Sequence, residues 1–227
     1  MQSSALVVAV IEFAVLLFSL SVHESAHAWV ASRLGDQTAR MLGRVSLNPI
    51  DHIDPVGTLL IPALIIFGPL IGFGFFNGLL FGWAKPVPVI SRNLRDFKRD
   101  DMLVSLAGPA SNLLLALVAF LGLAAVLIAE RHLPEGVNPS TTQQALELLC
   151  SVGLQLNLVL CIFNLIPIPP LDGSHVLRQF LPYEAAQVYD RITGATSYIL
   201  LIAVAYFVLG PVMHPILALV YSALPRI

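Results

Sequence analysis

His23-Glu24-Ser25-Ala26-His27 is the segment of this sequence with the clearest chemical potential. Residues four apart on a helix lie on one face, so both imidazoles reach one metal ion. Glu24, beside them, is placed to take a proton from water activated by that ion. Six His and six Glu in 227 residues would give this pattern by chance only ~0.004 times. The competing reading is a helix end whose polar residues face water. It is weak, because imidazole and carboxylate are expensive in a membrane segment and functional there by default.

A hydrolytic metal site needs a third protein ligand and an open position for water. The candidate is Asp172, which closes the run Asn164-Leu165-Ile166-Pro167-Ile168-Pro169-Pro170-Leu171-Asp172-Gly173. Its prolines stop the preceding helix and lack amide donors, which lets a carboxylate turn inward. The alternative is a plain Asp-Gly turn. Asn112 and Asn164 are candidates to stabilise an oxyanion or hold the substrate backbone; the alternative for each is an interhelical polar contact. Glu12 shares the face of His23 and reads equally as a carboxyl near the outer interface or as part of a water path. His175, three after Asp172, reads as a solvated residue at a helix start, and His52 as an interfacial loop residue.

The elements that must position these residues are apolar. Hydrophobic residues make up 57% of the chain and charged residues 11%, and the mean hydropathy is +0.83. A soluble domain needs roughly 25% charged residues, so the solvent is lipid. The net charge of −2 gives no basic face for nucleic acid. The fold class expected is an all-α polytopic membrane protein in one domain over 1–227, with a small cytoplasmic strand element and a re-entrant hairpin. Helix 1 is placed at about 4–33 and read as retained. It lacks the basic n-region and small-residue cleavage site of a signal peptide. A strand-like region follows at 36–54, then a re-entrant segment at 56–83, helices at about 102–129 and 143–165, and a last apolar segment at about 195–224. Cys150 and Cys161, eleven apart on one segment, would sit about 16 Å apart along a helix. That excludes a disulfide between them.

Ten of the twelve Lys and Arg fall in three places: Arg33 to Arg44, Lys85 to Arg99, and Arg178 with Arg191. The positive-inside rule puts these three in the cytoplasm. Helix 1 and the loop at Lys85 then lie on the same side, so the segment between them must enter and leave on one face. A hairpin turning at Gly68-Pro69, or at the later glycines Gly72 and Gly74, satisfies this where protein or a cavity covers it. The helix before Asp172 also ends inside, which brings His23, His27 and Asp172 to one membrane depth and favours Asp172 as a ligand.

The sequence resembles the site-2 protease family of intramembrane metalloproteases, from about Leu16 to Arg178. The likeness rests on His23-Glu24-x-x-His27, Gly108-Pro109-Ala110-Ser111-Asn112 and Asn164 through Gly173, in the family's order. Leu47-Asn48-Pro49, His52-Ile53-Asp54-Pro55 and Gly82 through Val89 look like a compact bacterial branch without PDZ or CBS domains. The resemblance implies one Zn2+ held by His23, His27 and Asp172, and Glu24 as the base. It also implies a single-span membrane protein as substrate. Similar elements in the family lie beside the active site, so Thr38 to Leu47 is expected to pair with unwound substrate. Two other classes compete. A metal transporter or sensor would not need Glu24, and transporters often carry internal repeats, which this chain lacks. A non-catalytic pseudoprotease would have a damaged site, and here all four residues are intact.

Overall fold

The computed structural model describes residues 2–73, 82–134, 136–192, 194–205, 207 and 210–225. Three helices are long and apolar enough to cross a bilayer, which takes about 20 helical residues. They are α1 (Gln2–Leu34), α4 (Phe97–Arg131) and α5 (Thr141–Asn164). Between the first two lie the short helices α2 (Thr38–Met41) and α3 (Ile61–Phe67). After α5 come α6 (Asp172–Phe180), α7 (Tyr183–Tyr189), α8 (Ala195–Val204) and α9 (Gly210–Ser222).

Helix α4 is central: it packs on α1 on one side, on α5 on another, and on α6 near its start. One core joins α4, α5 and α9 through Ala116, Leu123, Leu154, Leu158 and Met213. A second joins α1, α3 and α5 through Ala9, Leu16 and Ile66, with Leu156 and Leu160 against them. Leu113, Leu114, Leu117 and Leu121 of α4 stay exposed, as expected where lipid rather than protein covers a helix face.

Local signals set the helix ends. Asp96 accepts from the Arg99 amide and caps α4, so that helix begins five residues earlier than its apolar run suggests. Ser140 and Gln143 form a reciprocal capping box at the start of α5. Pro211 does not end the last helix. It lies within α9 (Gly210–Ser222). The last apolar stretch holds α8 and α9, with Ala205 and Phe207 between them in π-helical conformation and 206, 208 and 209 outside the described residues.

The strand-like region at 36–54 is a correction: among the described residues the protein has no strand. Buried Asp36 accepts from the Thr38 amide and hydroxyl, which starts the helical turn α2. Asn48 accepts from the Ile50 amide and starts a 3-10 turn at Pro49–His52. Side chains take up the backbone groups that a β-ladder would need, so the expected pairing of Thr38 to Leu47 with substrate loses its basis. His52, expected in an interfacial loop, ends the 3-10 turn Pro49–His52. It is buried, with Nε2 bonded to the Ser46 carbonyl at 2.8 Å.

Asp36 does a second job. Its carboxylate also accepts from the Ile90 amide at 2.7 Å and from Asn93 Nδ2 at 3.1 Å, tying the chain before α4 to the end of α1. Burial opposes its charge, but the bonds from Thr38, Ile90 and Asn93 outweigh that and hold its carboxyl below the usual carboxylate range.

The segment from Pro55 is a π-helical turn (Pro55–Leu60), then α3, then a 3-10 turn (Gly68–Ile71). Its ends meet: the Trp83 amide donates to the Gly57 carbonyl at 3.1 Å, and Thr58 Oγ1 donates to the Trp83 carbonyl at 2.8 Å. Residues 74–81, including Gly74, lie outside the described residues.

Candidate metal centre

His23 and His27 stand one turn apart on α1, buried between α4 and the start of α6. Their Nε2 atoms are 3.0 Å from each other. Asp172, the first residue of α6, brings Oδ2 to 3.2 Å from His23 Nε2 and Oδ1 to 3.4 Å from His27 Nε2. One ligand atom from each of the three lies within 4.8 Å of the others.

Two glycines make this approach possible. A Cβ on Gly108 of α4 would lie 2.4 Å from His27 Nε2 and 2.5 Å from His23 Nε2. Any side chain there would fill the space between the imidazoles. A Cβ on Gly173 would lie 2.2 Å from the Leu165 carbonyl oxygen. Its absence lets α6 start against the last turn of α5 and point Asp172 at α1. The Asp-Gly pair is therefore a helix start packed on another helix, not an exposed turn.

The far sides of both rings are fixed. His27 Nδ1 meets the Val104 carbonyl at 2.7 Å. A carbonyl only accepts, so this nitrogen carries the hydrogen. His23 Nδ1 meets Asn112 Oδ1 at 2.6 Å, and Asn112 Nδ2 donates to Asn157 Oδ1 at 3.0 Å. In neutral rings both Nε2 atoms then present lone pairs inward. Asp172 Oδ2 is buried there and accepts no hydrogen bond. Three acceptors converge with no hydrogen to share, an arrangement that a divalent cation satisfies. Two imidazoles and a carboxylate, their far atoms held by neighbours, suit zinc.

A cavity of about 540 Å³ opens beside the three residues. Glu24 and Asn164 line it. Glu24 Oε2 accepts from the Val87 amide at 3.1 Å, and the segment Trp83 to Val89 forms one wall. Leu16 and Leu20 of α1 and Val159, Leu160 and Phe163 of α5 form apolar walls. Asn164 Nδ2 donates to the Leu160 carbonyl at 2.9 Å. His175 is exposed and also lines the cavity.

Asn112 is not on the cavity. It is fully buried between His23 and Asn157, so its contact is the interhelical one and its amide does not reach an oxyanion in the cavity. The sequence reading passed over Asn157. Its signal was available: it stands seven residues before Asn164, on the same face of α5.

The profile of peptidase family M50 matches residues 125–207, which include Asp172. A Bacillus subtilis protein named "Putative zinc metalloprotease YwhC" is 39% identical over 193 residues, covering 85% of this chain and 78% of its own length. The chain belongs to peptidase family M50, the site-2 proteases. Two Rip2 proteins with the same description as YwhC also match. That of Mycolicibacterium smegmatis is 34% identical, covering 74% of this chain and 56% of its own length. That of Mycobacterium tuberculosis is 29% identical, covering 87% and 66%. No solved structure matches the chain. This protein is a multi-pass membrane protein and a zinc metalloendopeptidase of the site-2 type.

Proposed function

We propose that the protein cleaves peptide bonds within or next to the membrane segments of single-span, membrane-tethered proteins, with its site towards the cytoplasm of the cell membrane. The observation that carries this is the convergence of His23, His27 and Asp172 at one end of a cavity whose walls are apolar helix faces. Leu16, Leu20, Val159, Leu160 and Phe163 suit the side chains of a membrane segment rather than those of a soluble loop. The basic residues Arg33, Arg40, Arg44 and Lys85 to Arg99 support the cytoplasmic orientation. The bonded ends of the Pro55–Trp83 segment support a re-entrant hairpin between α1 and α4.

His23, His27 and Asp172 hold the zinc. When bound, zinc supplies a Lewis acid that polarises the scissile carbonyl and acidifies a water. Glu24, with Oε2 engaged by the Val87 amide, keeps Oε1 to accept a proton from the attacking water and return it to the leaving amine. Asn164 uses one N–H on the Leu160 carbonyl and has a second for the substrate carbonyl or the oxyanion.

The test is metal content and cleavage together. Wild type and Glu24→Gln are purified in detergent, assayed for zinc, and presented with a panel of single-span substrates. Wild type should hold about one zinc per chain and cut within the membrane segment. Glu24→Gln should hold the same zinc and lose cutting by roughly 10²- to 10⁴-fold. Undiminished cutting by Glu24→Gln would sink the mechanism, and would favour a transit site for metal over a protease.

A further inference from the structure

The site's least explained polar group is Asn157, buried in the middle of an apolar helix and touching neither the cavity nor a ligand of the metal. We propose that Asn157, on α5, sets the tautomer of the zinc ligand His23, on α1, acting through Asn112 on α4. This rests on the zinc reading above and extends it to a positioning residue.

The chain of hydrogen bonds has a fixed direction. It ends at the Gly153 carbonyl, which only accepts. Asn157 Nδ2 therefore donates to it, at 2.8 Å. That leaves Asn157 Oδ1 as an acceptor towards Asn112, so Asn112 Nδ2 donates, at 3.0 Å. Asn112 Oδ1 is then turned to His23, and His23 Nδ1 must carry the hydrogen, at 2.6 Å. Only in that tautomer does neutral His23 offer its Nε2 lone pair to the metal.

Each member is needed because an amide has two ends of similar shape. Among the described residues, the Asn112 side chain bonds only His23 and Asn157. Without Asn157, nothing stops Asn112 from rotating its NH2 towards His23. His23 Nδ1 would then accept, its hydrogen would move to Nε2, and the ligand would be lost. His27 needs no such relay, because the Val104 carbonyl fixes its tautomer in one step. Asn112 is 0% exposed, Asn157 3% and His23 5%, so water does not compete for these groups. A buried amide that could flip would be left unpaired, which is costly in a low dielectric. The same relay makes the metal site depend on the packing of α5 against α4.

The experiment has two arms. In the first, the histidines of metal-free protein are labelled with 15N, and the His23 signals are assigned by their loss in His23→Gln. Wild type should show the proton on Nδ1, and Asn157→Leu should show it shifted to Nε2. A wild-type His23 with an unprotonated Nδ1 overturns the proposal, and this arm stands even if the variant does not fold. In the second arm, zinc affinity is measured by competition with a chelator. Asn157→Leu should weaken zinc by about 10- to 100-fold, the usual effect of removing a group that orients a ligand. In an Asn112→Asp background the same change should have little effect, because a carboxylate accepts with either oxygen. Equal losses in both backgrounds would mean that Asn157 acts by packing alone, and would overturn the proposal. So would unchanged affinity in both. A wild type that binds no zinc fails the metal reading itself, and the tautomer measurement still decides the relay.

Discussion

Gly108→Ala tests the site with one methyl group. The added Cβ would lie 2.4 Å from His27 Nε2 and 2.5 Å from both Nε2 and Cε1 of His23. Carbon and nitrogen rest at about 3.5–4.0 Å, so roughly 1 Å of overlap must be relieved. α4 cannot retreat freely, because Pro109, Asn112 and Ala116 bury its next turns. The imidazoles must move instead. Turning each about 30° off its rotamer costs about 0.5–1.5 kcal/mol. For two rings that is about 1–3 kcal/mol, a roughly 5- to 140-fold loss of zinc affinity at about 1.4 kcal/mol per decade. Displaced metal geometry adds to that, since ligand distances tolerate only about ±0.2 Å. Zinc retained against a graded chelator challenge is the assay, with helix content as a folding check. Gly210→Ala is the control, because its Cβ would meet nothing within 4 Å. If Gly108→Ala keeps wild-type zinc affinity, the site is not the tight cradle drawn from these distances.

Asp172→Ala should fold and lose most of its zinc, since two His ligands alone leave a catalytic zinc site incomplete; metal analysis after gel filtration checks this. Asp36 stabilises the fold while ionised. Because its folded pKa lies below the unfolded value, that contribution is complete above the ordinary carboxylate range and lost as pH falls through the lowered folded pKa. Thermal unfolding of wild type and Asp36→Asn across acid pH should show a gap at neutral pH that narrows towards the acid end, and a constant gap would refute it. Tyr221→Phe removes bonds from Gln155 Nε2, at 2.7 Å, and with Ser151 Oγ, at 3.0 Å, that tie α9 to α5. The unfolding free energy in detergent should drop by about 0.6 kcal/mol for each of the two bonds, the average for such bonds between membrane helices. A cysteine placed at Ile71, an exposed position in the Gly68–Ile71 turn, should resist labelling from the outer face if the Pro55–Trp83 segment turns back within the membrane.

The long helices were legible because their cause is local. Apolar runs of bilayer length, Asp96 and Ser140 as caps, and the prolines after Asn164 act within a few residues. The region at 36–54 was misread for the opposite reason. Thr38, Val45 and Leu47 with turn signals at Gly43 and Asn48-Pro49 looked like short strands, but Asp36 and Asn48 bond their own neighbours' amides, and Asp36 also reaches Ile90 and Asn93 far along the chain. Side-chain competition for the backbone outweighed a weak β pattern. Asn112 was legible as a polar group in an apolar helix, but whether it faces the cavity or another helix depends on how α4 is rotated, which its own sequence does not state.

His23 and His27 were recognisable as a candidate pair from the sequence, with Glu24 beside them, because the pitch of one helix puts residues four apart on one face. The proposed third ligand is different. Asp172 lies 145 residues after His27, and only the packing of α6 against α4 and the last turn of α5 carries its oxygens to 3.2 and 3.4 Å from the imidazoles. The room between the rings, which Gly108 leaves open, and the relay through Asn112 and Asn157 belong to the same class. Each is a meeting of side chains from different helices, and the distances that define it exist only once those helices are packed.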